Sequence, residues 1–283
     1  LQTRYSWLRQ VIKKDCQMKL PVVKLSLTEH SFKVSDKCPK ISPNVLDSCV
    51  LVDTDGTPAG LFLKDLPQEL GNLVNIADSE LRSERVPKSR MDRKVPLGHD
   101  SKGKKKYQII SQYSTILGSV PPKPHMRRVW GGRSQVHLKK SASVFVKAML
   151  KAGKIAMGLV EDYIPNVYEK HIEVISNRLP EKWRFTPYCS STISNCNIAA
   201  PIHRDNANVK GAVNLIITKR QNSNGGNLYV PDYGACFDQS NNSLLVYPAW
   251  RNSHGVTPIE PTHQGGYRNS HVWYALDSFA SLG

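Results

Sequence analysis

From residue 183 onward the chain is written in short apolar runs cut by turn signals, and that texture limits the fold more than any other feature. The runs span 212–218 (AVNLIIT), 227–231, 244–248, 254–259 and 267–276. Between them stand Ser223-Asn224-Gly225-Gly226, Asp232-Tyr233-Gly234, Asn241-Asn242 and Gly265-Gly266. Strands this short, at this spacing, suggest an antiparallel sandwich or jelly roll. Earlier segments read differently. Two apolar runs over 49–63 flank Asp53-Thr54-Asp55-Gly56-Thr57-Pro58 and predict a hairpin. Pro67, then Leu70, Leu73, Val74, Ala77 and Leu81 at helical spacing, predict a helix over 67–82. Two further helices are predicted across 141–178. Ser141 is placed to cap the first, and the second carries Val167, Tyr168, His171, Ile172 and Ile175 on one stripe. His171 therefore reads as packing rather than as a ligand. The expected class is α+β. Residues 1–140 form a basic N-terminal segment and 141–283 hold the helices and β-core, together one compact unit.

Charge narrows the partners. Lys and Arg number 39 against 23 Asp and Glu, a net +16. Residues 82–106 hold ten Lys/Arg and three acids, and 123–140 hold six Lys/Arg and no acid, so these two segments carry most of the excess. A polyanion is the expected partner, nucleic acid first. The 82–106 segment reads as an exposed loop, and 123–140, which interleaves Trp130 with its cations, as a nucleic-acid-facing loop. Arg127, Arg128 and Arg133, then Lys139 and Lys140, are the candidate phosphate contacts. No apolar run approaches the ~20 residues that span a bilayer, and the start shows no secretory h-region. The first residue is Leu1 rather than Met, as in a chain trimmed from a longer one. Six scattered cysteines without a CxxC pair argue against a disulfide framework or a thiolate zinc site. A monomer without a membrane partner is expected, nuclear in a eukaryote and otherwise cytoplasmic.

Chemistry concentrates in the β half. In an extended strand residues two apart share a face, so His203 and Asp205 of His203-Arg204-Asp205 point one way. His254 comes 51 residues later, room for a return to the same mouth. Two imidazoles and a carboxylate are the donor set of non-haem Fe(II) oxygenases, which leaves coordination positions open. Arg268 and Ser270 share a face of the last strand with Val272 and Tyr274. A guanidinium there suits the far carboxylate of 2-oxoglutarate, with the Ser270 hydroxyl adding a bond. His30, His99, His125, His137, His263 and His271 read as ordinary polar residues. The tripeptide His-Arg-Asp also occurs in kinase catalytic loops, but Lys210 stands where such a loop needs Asn, and no glycine-rich loop precedes it.

Five pieces, HRDNANVKG (203–211), GGNLYVPDYG (225–234), the LLVYP strand, HGVTPI (254–259) and GGYRNSHVWY (265–274), together resemble the TET and J-binding-protein family of dioxygenases. The resemblance implies a double-stranded β-helix core, dependence on Fe(II), 2-oxoglutarate and O2, and oxidation of the 5-methyl group of a flipped-out base in DNA. By the same resemblance His203, Asp205 and His254 are the iron ligands, Arg268 and Ser270 hold the cosubstrate, and Asn208 contacts the target base. Asn195 and Asn197, upstream of the triad, are further candidates for the pocket. No cysteine-rich zinc module is present, which points to a compact member. Thymine, N6-methyladenine, RNA or a protein side chain are rival substrates. A catalytically silent DNA-binding module and a jelly-roll interaction protein are the rival non-enzymes.

Overall fold

The computed structural model of the chain describes residues 20–123, 125 and 129–282. Arg127 and Arg128, two of the expected phosphate contacts, lie outside the described residues. Strands β1 (Val22–Lys24), β2 (Cys49–Val52) and β3 (Pro58–Leu63) precede helix α1 (Gln68–Arg82). Then come β4 (Ser89–Arg90), β5 (Arg93–His99), β6 (Lys105–Ile110), β7 (Tyr113–Val120) and β8 (Gly132–Arg133). Helices α2 (Gln135–Leu138), α3 (Ser143–Tyr163) and α4 (Pro165–Arg178) lead into β9 (Ser191–Cys196) and β10 (Asn214–Gln221). The remaining strands are β11 (Ser223–Gly225), β12 (Leu228–Val230), β13 (Ala235–Cys236), β14 (Ser243–Tyr247), β15 (Gly255–Val256), β16 (Ile259–Pro261) and β17 (Tyr267–Tyr274).

One ten-stranded sheet dominates, in the order β1-β2-β3-β14-β10-β17-β9-β7-β4 with β8 on β7. Strands from before and after residue 140 thus pair in the same sheet. The predicted 49–63 hairpin is β2–β3, closed by Asp53 and Thr57 backbone bonds, with the Asp55 carboxylate accepting from the Thr57 N–H at 2.9 Å. Period-two alternation sorts the side chains. Leu215 and Ile217 of β10, Leu244 and Val246 of β14, and Trp273 of β17 face the helices, where they pack on Phe145, Met149 and Ala156 of α3 and Leu70 and Val74 of α1. The opposite face carries Phe62, Ile216, Leu245 and Tyr247, which pack against Leu228 and Val230 of the small β13-β12-β15 sheet and against Phe237. The large sheet is therefore sandwiched between helices and a smaller sheet, and the smaller sheet stands on the side that carries the candidate site.

Trp273 also fixes one glycine. Its indole Nε1 donates to the Met149 carbonyl at 3.2 Å, and a Cβ on Gly153 would lie 2.6 Å from that nitrogen. Inside α3 only glycine lets helix and sheet approach this closely, at a cost of roughly 1 kcal/mol in helix propensity.

Two sequence expectations require correction. Ser141 does not cap α3: its hydroxyl donates to the Arg85 carbonyl at 2.7 Å, and Ala142 occupies the cap position without a side-chain bond. Residues 82–106 are not one open loop. Arg82 pairs with Asp78 and Arg85 with Glu80, both acids of α1, and Arg90 pairs with Glu84, so three of the segment's cations are already neutralised. The rest folds as the antiparallel β5–β6 ribbon. Its turn is built by Asp100, whose carboxylate accepts from the Lys102 and Lys104 backbone N–H groups at 2.9 and 2.8 Å, with Gly103 at φ +75°. Lysine-rich composition masked a hairpin whose turn chemistry was present in the sequence.

Candidate active site

A cavity of about 530 Å³ opens between the large sheet and the small one. Its floor is Asn214 and Ile216 of β10, Ile193 and Asn195 of β9, and Arg268, Ser270, Val272 and Tyr274 of β17. The four β17 residues are those the alternation of that strand predicts. Across from them, Leu228 and Val256 carry the small sheet's wall, and His203, Asp205 and His254 close one end.

His203 and His254 are hydrogen-bonded to each other through both backbones, each N–H to the other's carbonyl at 2.8 Å. Their rings lie 4.3 Å apart between centroids. Each ring spends its Nδ1–H on a nearby carbonyl, His203 on Pro201 at 2.8 Å and His254 on Asn252 at 3.1 Å. That choice of tautomer leaves Nε2 with its lone pair facing the cavity on both residues. Asp205 Oδ1 lies 3.6 Å from His203 Nε2. Donor atoms of all three residues fall within 4.8 Å of one another. Burial, with His203 beside it, holds the His254 imidazole below its usual pKa and so keeps it unprotonated at neutral pH.

The other Asp205 oxygen is held from behind. Asn214 Nδ2 donates to Oδ2 at 3.1 Å, Asn208 Nδ2 reaches the same atom at 3.3 Å, and Asn208 Nδ2 also donates to Asn214 Oδ1 at 3.0 Å. Both amides are buried. The sequence points Asn208 at a substrate base, but its amide nitrogen is engaged on the acid. Sequence reasoning missed Asn214. Its signal was there: it is the one polar residue within the apolar stretch AVNLII, at an inward position.

Arg268 lies at the cavity floor, 2 % exposed. Nη2 donates to Gln239 Oε1 at 3.1 Å and to Thr218 Oγ1 at 3.4 Å, while Nε has no partner. Among the described residues no carboxylate pairs with it. Burial pushes its pKa down to about 9, with the neighbouring Arg220 guanidinium adding to the effect. An unpaired cation inside a protein is costly, and the missing partner is an anion. Arg220 cannot substitute, since its three nitrogens are spent on Ser223 Oγ and on the Gln239 and Gly225 carbonyls. Gly226, at φ +69°, leaves room for the Arg268 stem: a Cβ there would lie 3.1 Å from Arg268 Cδ. Ser270 is buried on the same wall.

The other expected residues divide. Asn195 lines the cavity. Asn197 does not: at φ 55° it ends β9, donating Nδ2 to the Ser111 carbonyl and accepting the Arg268 N–H through Oδ1. Arg133 is half-buried and donates to Ser119 Oγ and to the Arg184 and Lys182 carbonyls. Trp130 stands 81 % exposed nearby in the chain. His171 behaves as packing, between the Tyr188 carbonyl and the Val213 N–H.

The donor set and the orphaned guanidinium fit one iron and one dicarboxylate in a shared cavity. No protein-family model matches the chain, and no curated protein sequence matches it. Among solved structures, NgTET1 in complex with 5mC DNA aligns over 93% of this chain and 85% of its own, at 12% identity with a TM-score of 0.57. The chain shares the fold of NgTET1. A prolyl hydroxylase from Trichoplax adhaerens, solved with a hypoxia inducible factor peptide fragment, aligns over 80% of this chain and 87% of its own, at 13% identity with a TM-score of 0.41. No helix among the described residues is long and apolar enough to cross a membrane.

Proposed function

We propose that the protein is an Fe(II)- and 2-oxoglutarate-dependent dioxygenase that oxidises the 5-methyl group of 5-methylcytosine in DNA to 5-hydroxymethylcytosine, and onward to the formyl and carboxyl forms. The β9–β17 half is read as a double-stranded β-helix. One observation carries the assignment: a buried guanidinium without a counter-anion shares a cavity with two imidazoles and a carboxylate whose free donor atoms converge. His203, Asp205 and His254 would hold Fe(II), and Arg268 with Ser270 would take the distal carboxylate of 2-oxoglutarate. When bound, that pair supplies O2-dependent hydroxylation of an unactivated C–H bond.

The chain's own residues do the positioning. The Pro201 and Asn252 carbonyls fix the ring tautomers, and Asn208 and Asn214 hold one oxygen of Asp205 so that the other faces the imidazoles. Apolar walls from Ile193, Ile216, Leu228 and Val272 limit water around the reacting carbon. DNA as the substrate rests on the likeness to NgTET1, on the motif resemblance and on the +16 charge. A base stacked in a duplex cannot enter this cavity, so the target nucleotide is taken as extruded, at a cost of a few kcal/mol. The test is direct. Methylated duplex incubated with protein, Fe(II), ascorbate and 2-oxoglutarate, then digested for mass spectrometry, yields 5-hydroxymethylcytosine. Unchanged 5-methylcytosine with every component present overturns the assignment.

A further inference from the structure

We infer that the β5–β6 ribbon is a docking element for duplex DNA, laid into the major groove with its lysines on the flanking phosphates. This rests on the reading that the cavity's substrate is a base in DNA, and it adds the element, the groove and the duplex form.

Four observations carry it. First, β5 and β6 pair only with each other, outside the large sheet. Lys105–Ile109 are exposed on both faces of their strand, so the ribbon stands off the body. A two-stranded hairpin with so little burial is marginal alone and gains stability from what it binds. Second, Arg93, Lys94, Lys102, Lys104, Lys105 and Lys106 form no ion pair among the described residues, whereas Arg82, Arg85 and Arg90 just before them are all paired. Asp100, the acid within the ribbon, is spent on backbone N–H groups of the turn. Such a cluster repels itself until a polyanion neutralises it. Third, residues directly opposite share a face, and the pairs Lys94–Ile109, Pro96–Tyr107 and His99–Lys105 put exposed Tyr107 and Ile109 between cations. A short apolar stretch with a lysine at either end suits phosphates flanking base edges rather than a lipid surface. Fourth, the dimensions match. Seven residues of β5 extend about 24 Å, and two strands lie ~4.8 Å apart. The B-form major groove, about 12 Å wide, admits a two-stranded ribbon, while the A-form groove of duplex RNA is too deep and narrow.

The experiment uses the full chain and the Lys104→Gln/Lys105→Gln/Lys106→Gln variant. None of these lysines belongs to the cavity, so thermal stabilisation by anaerobic Fe(II) with 2-oxoglutarate serves as the check that both proteins are folded. Anisotropy on an unmethylated duplex is read from 50 to 200 mM salt. Three lost phosphate contacts lower the slope of log K against log salt by about 2.7, so that the variant loses roughly 40-fold less affinity than the wild type across that range. Guanine N7, which lies in the major groove, should be shielded from dimethyl sulfate by the wild type and not by the variant. An unchanged slope or unchanged N7 protection in the variant overturns the ribbon assignment while leaving the cavity reading intact. A wild type that ignores duplex DNA but binds duplex RNA or anionic phosphatidylserine vesicles overturns the assignment together with the DNA reading.

Discussion

Replacing Arg268 by Met should separate stability from cosubstrate binding, moving the two in opposite directions. The guanidinium is buried and lacks a carboxylate, and its pKa is pushed down to about 9 from 12.5. At about 1.36 kcal/mol per unit, that is on the order of 5 kcal/mol against the charged form, an upper bound on the strain. Linkage sets the sign. At pH 7 the group is protonated folded and unfolded, so the full penalty applies, and it fades only as pH rises through the folded value near 9. Met keeps the apolar stem and removes the charge. Replacing buried ionic groups with apolar ones of similar volume typically gains about 1–4 kcal/mol. At roughly 2–4 °C per kcal/mol the metal-free, ligand-free variant should melt several degrees higher. The opposite holds with ligand. At about 100 times its Kd, 2-oxoglutarate should stabilise the wild type with anaerobic Fe(II) by ~2.7 kcal/mol. Loss of a charge-assisted pair worth about 1.5–3 kcal/mol removes from about half to nearly all of that gain in the variant. Differential scanning calorimetry of both proteins, each with and without 2-oxoglutarate, reads the four midpoints. A variant that melts lower when empty and still responds fully to 2-oxoglutarate would refute the unpaired-cation argument.

Three shorter tests probe the neighbours. Asp205→Ala should abolish turnover and leave duplex affinity within about twofold in anisotropy; retained turnover contradicts its role as a ligand. Asn214→Leu removes a bond behind Asp205 and should weaken Fe(II) binding by about 10–100-fold, as losing a partner behind a metal ligand does, measured by anaerobic titration calorimetry. His171, whose pKa burial pushes down to about 4, stays neutral in the fold while the unfolded chain takes up a proton below pH 6.5. Its contribution is therefore complete above that pH and declines as pH falls from 6.5 toward 4. His171→Gln should flatten the fall in urea midpoint between pH 7.5 and 5, and an unchanged slope would contradict this.

The features legible in the sequence were those set by short-range rules. Alternation in 267–276 put Arg268, Ser270, Val272 and Tyr274 on one wall, and helical spacing located α1, α3 and α4. Among the strands missed is a polar one. β9 reads Ser-Thr-Ile-Ser-Asn-Cys and has no apolar alternation, because its inner face, Ile193 and Asn195, lines the cavity and the Ser194 hydroxyl on its other face pairs with the buried His271 Nδ1 at 2.8 Å. Side-chain engagement was equally hidden. Arg133 and Asn197 looked free as letters, yet each is held by partners far along the chain, and Asn208 is held by Asp205 three residues before it and Asn214 six after. Gln239, which meets both Arg268 and the Leu228 N–H, sits in a loop with no pattern to betray it.

The reciprocal backbone bonds between His203 and His254 have a thermodynamic consequence. The chain between these residues is closed by ordinary peptide pairing, independent of the side-chain atoms that would bind an ion. Metal uptake then need not supply the entropy of gathering remote side chains, as it does in domains that collapse without their ion. Chelation should thus silence the protein while leaving it folded, and adding the ion back should restore it as fast as the ion can diffuse in.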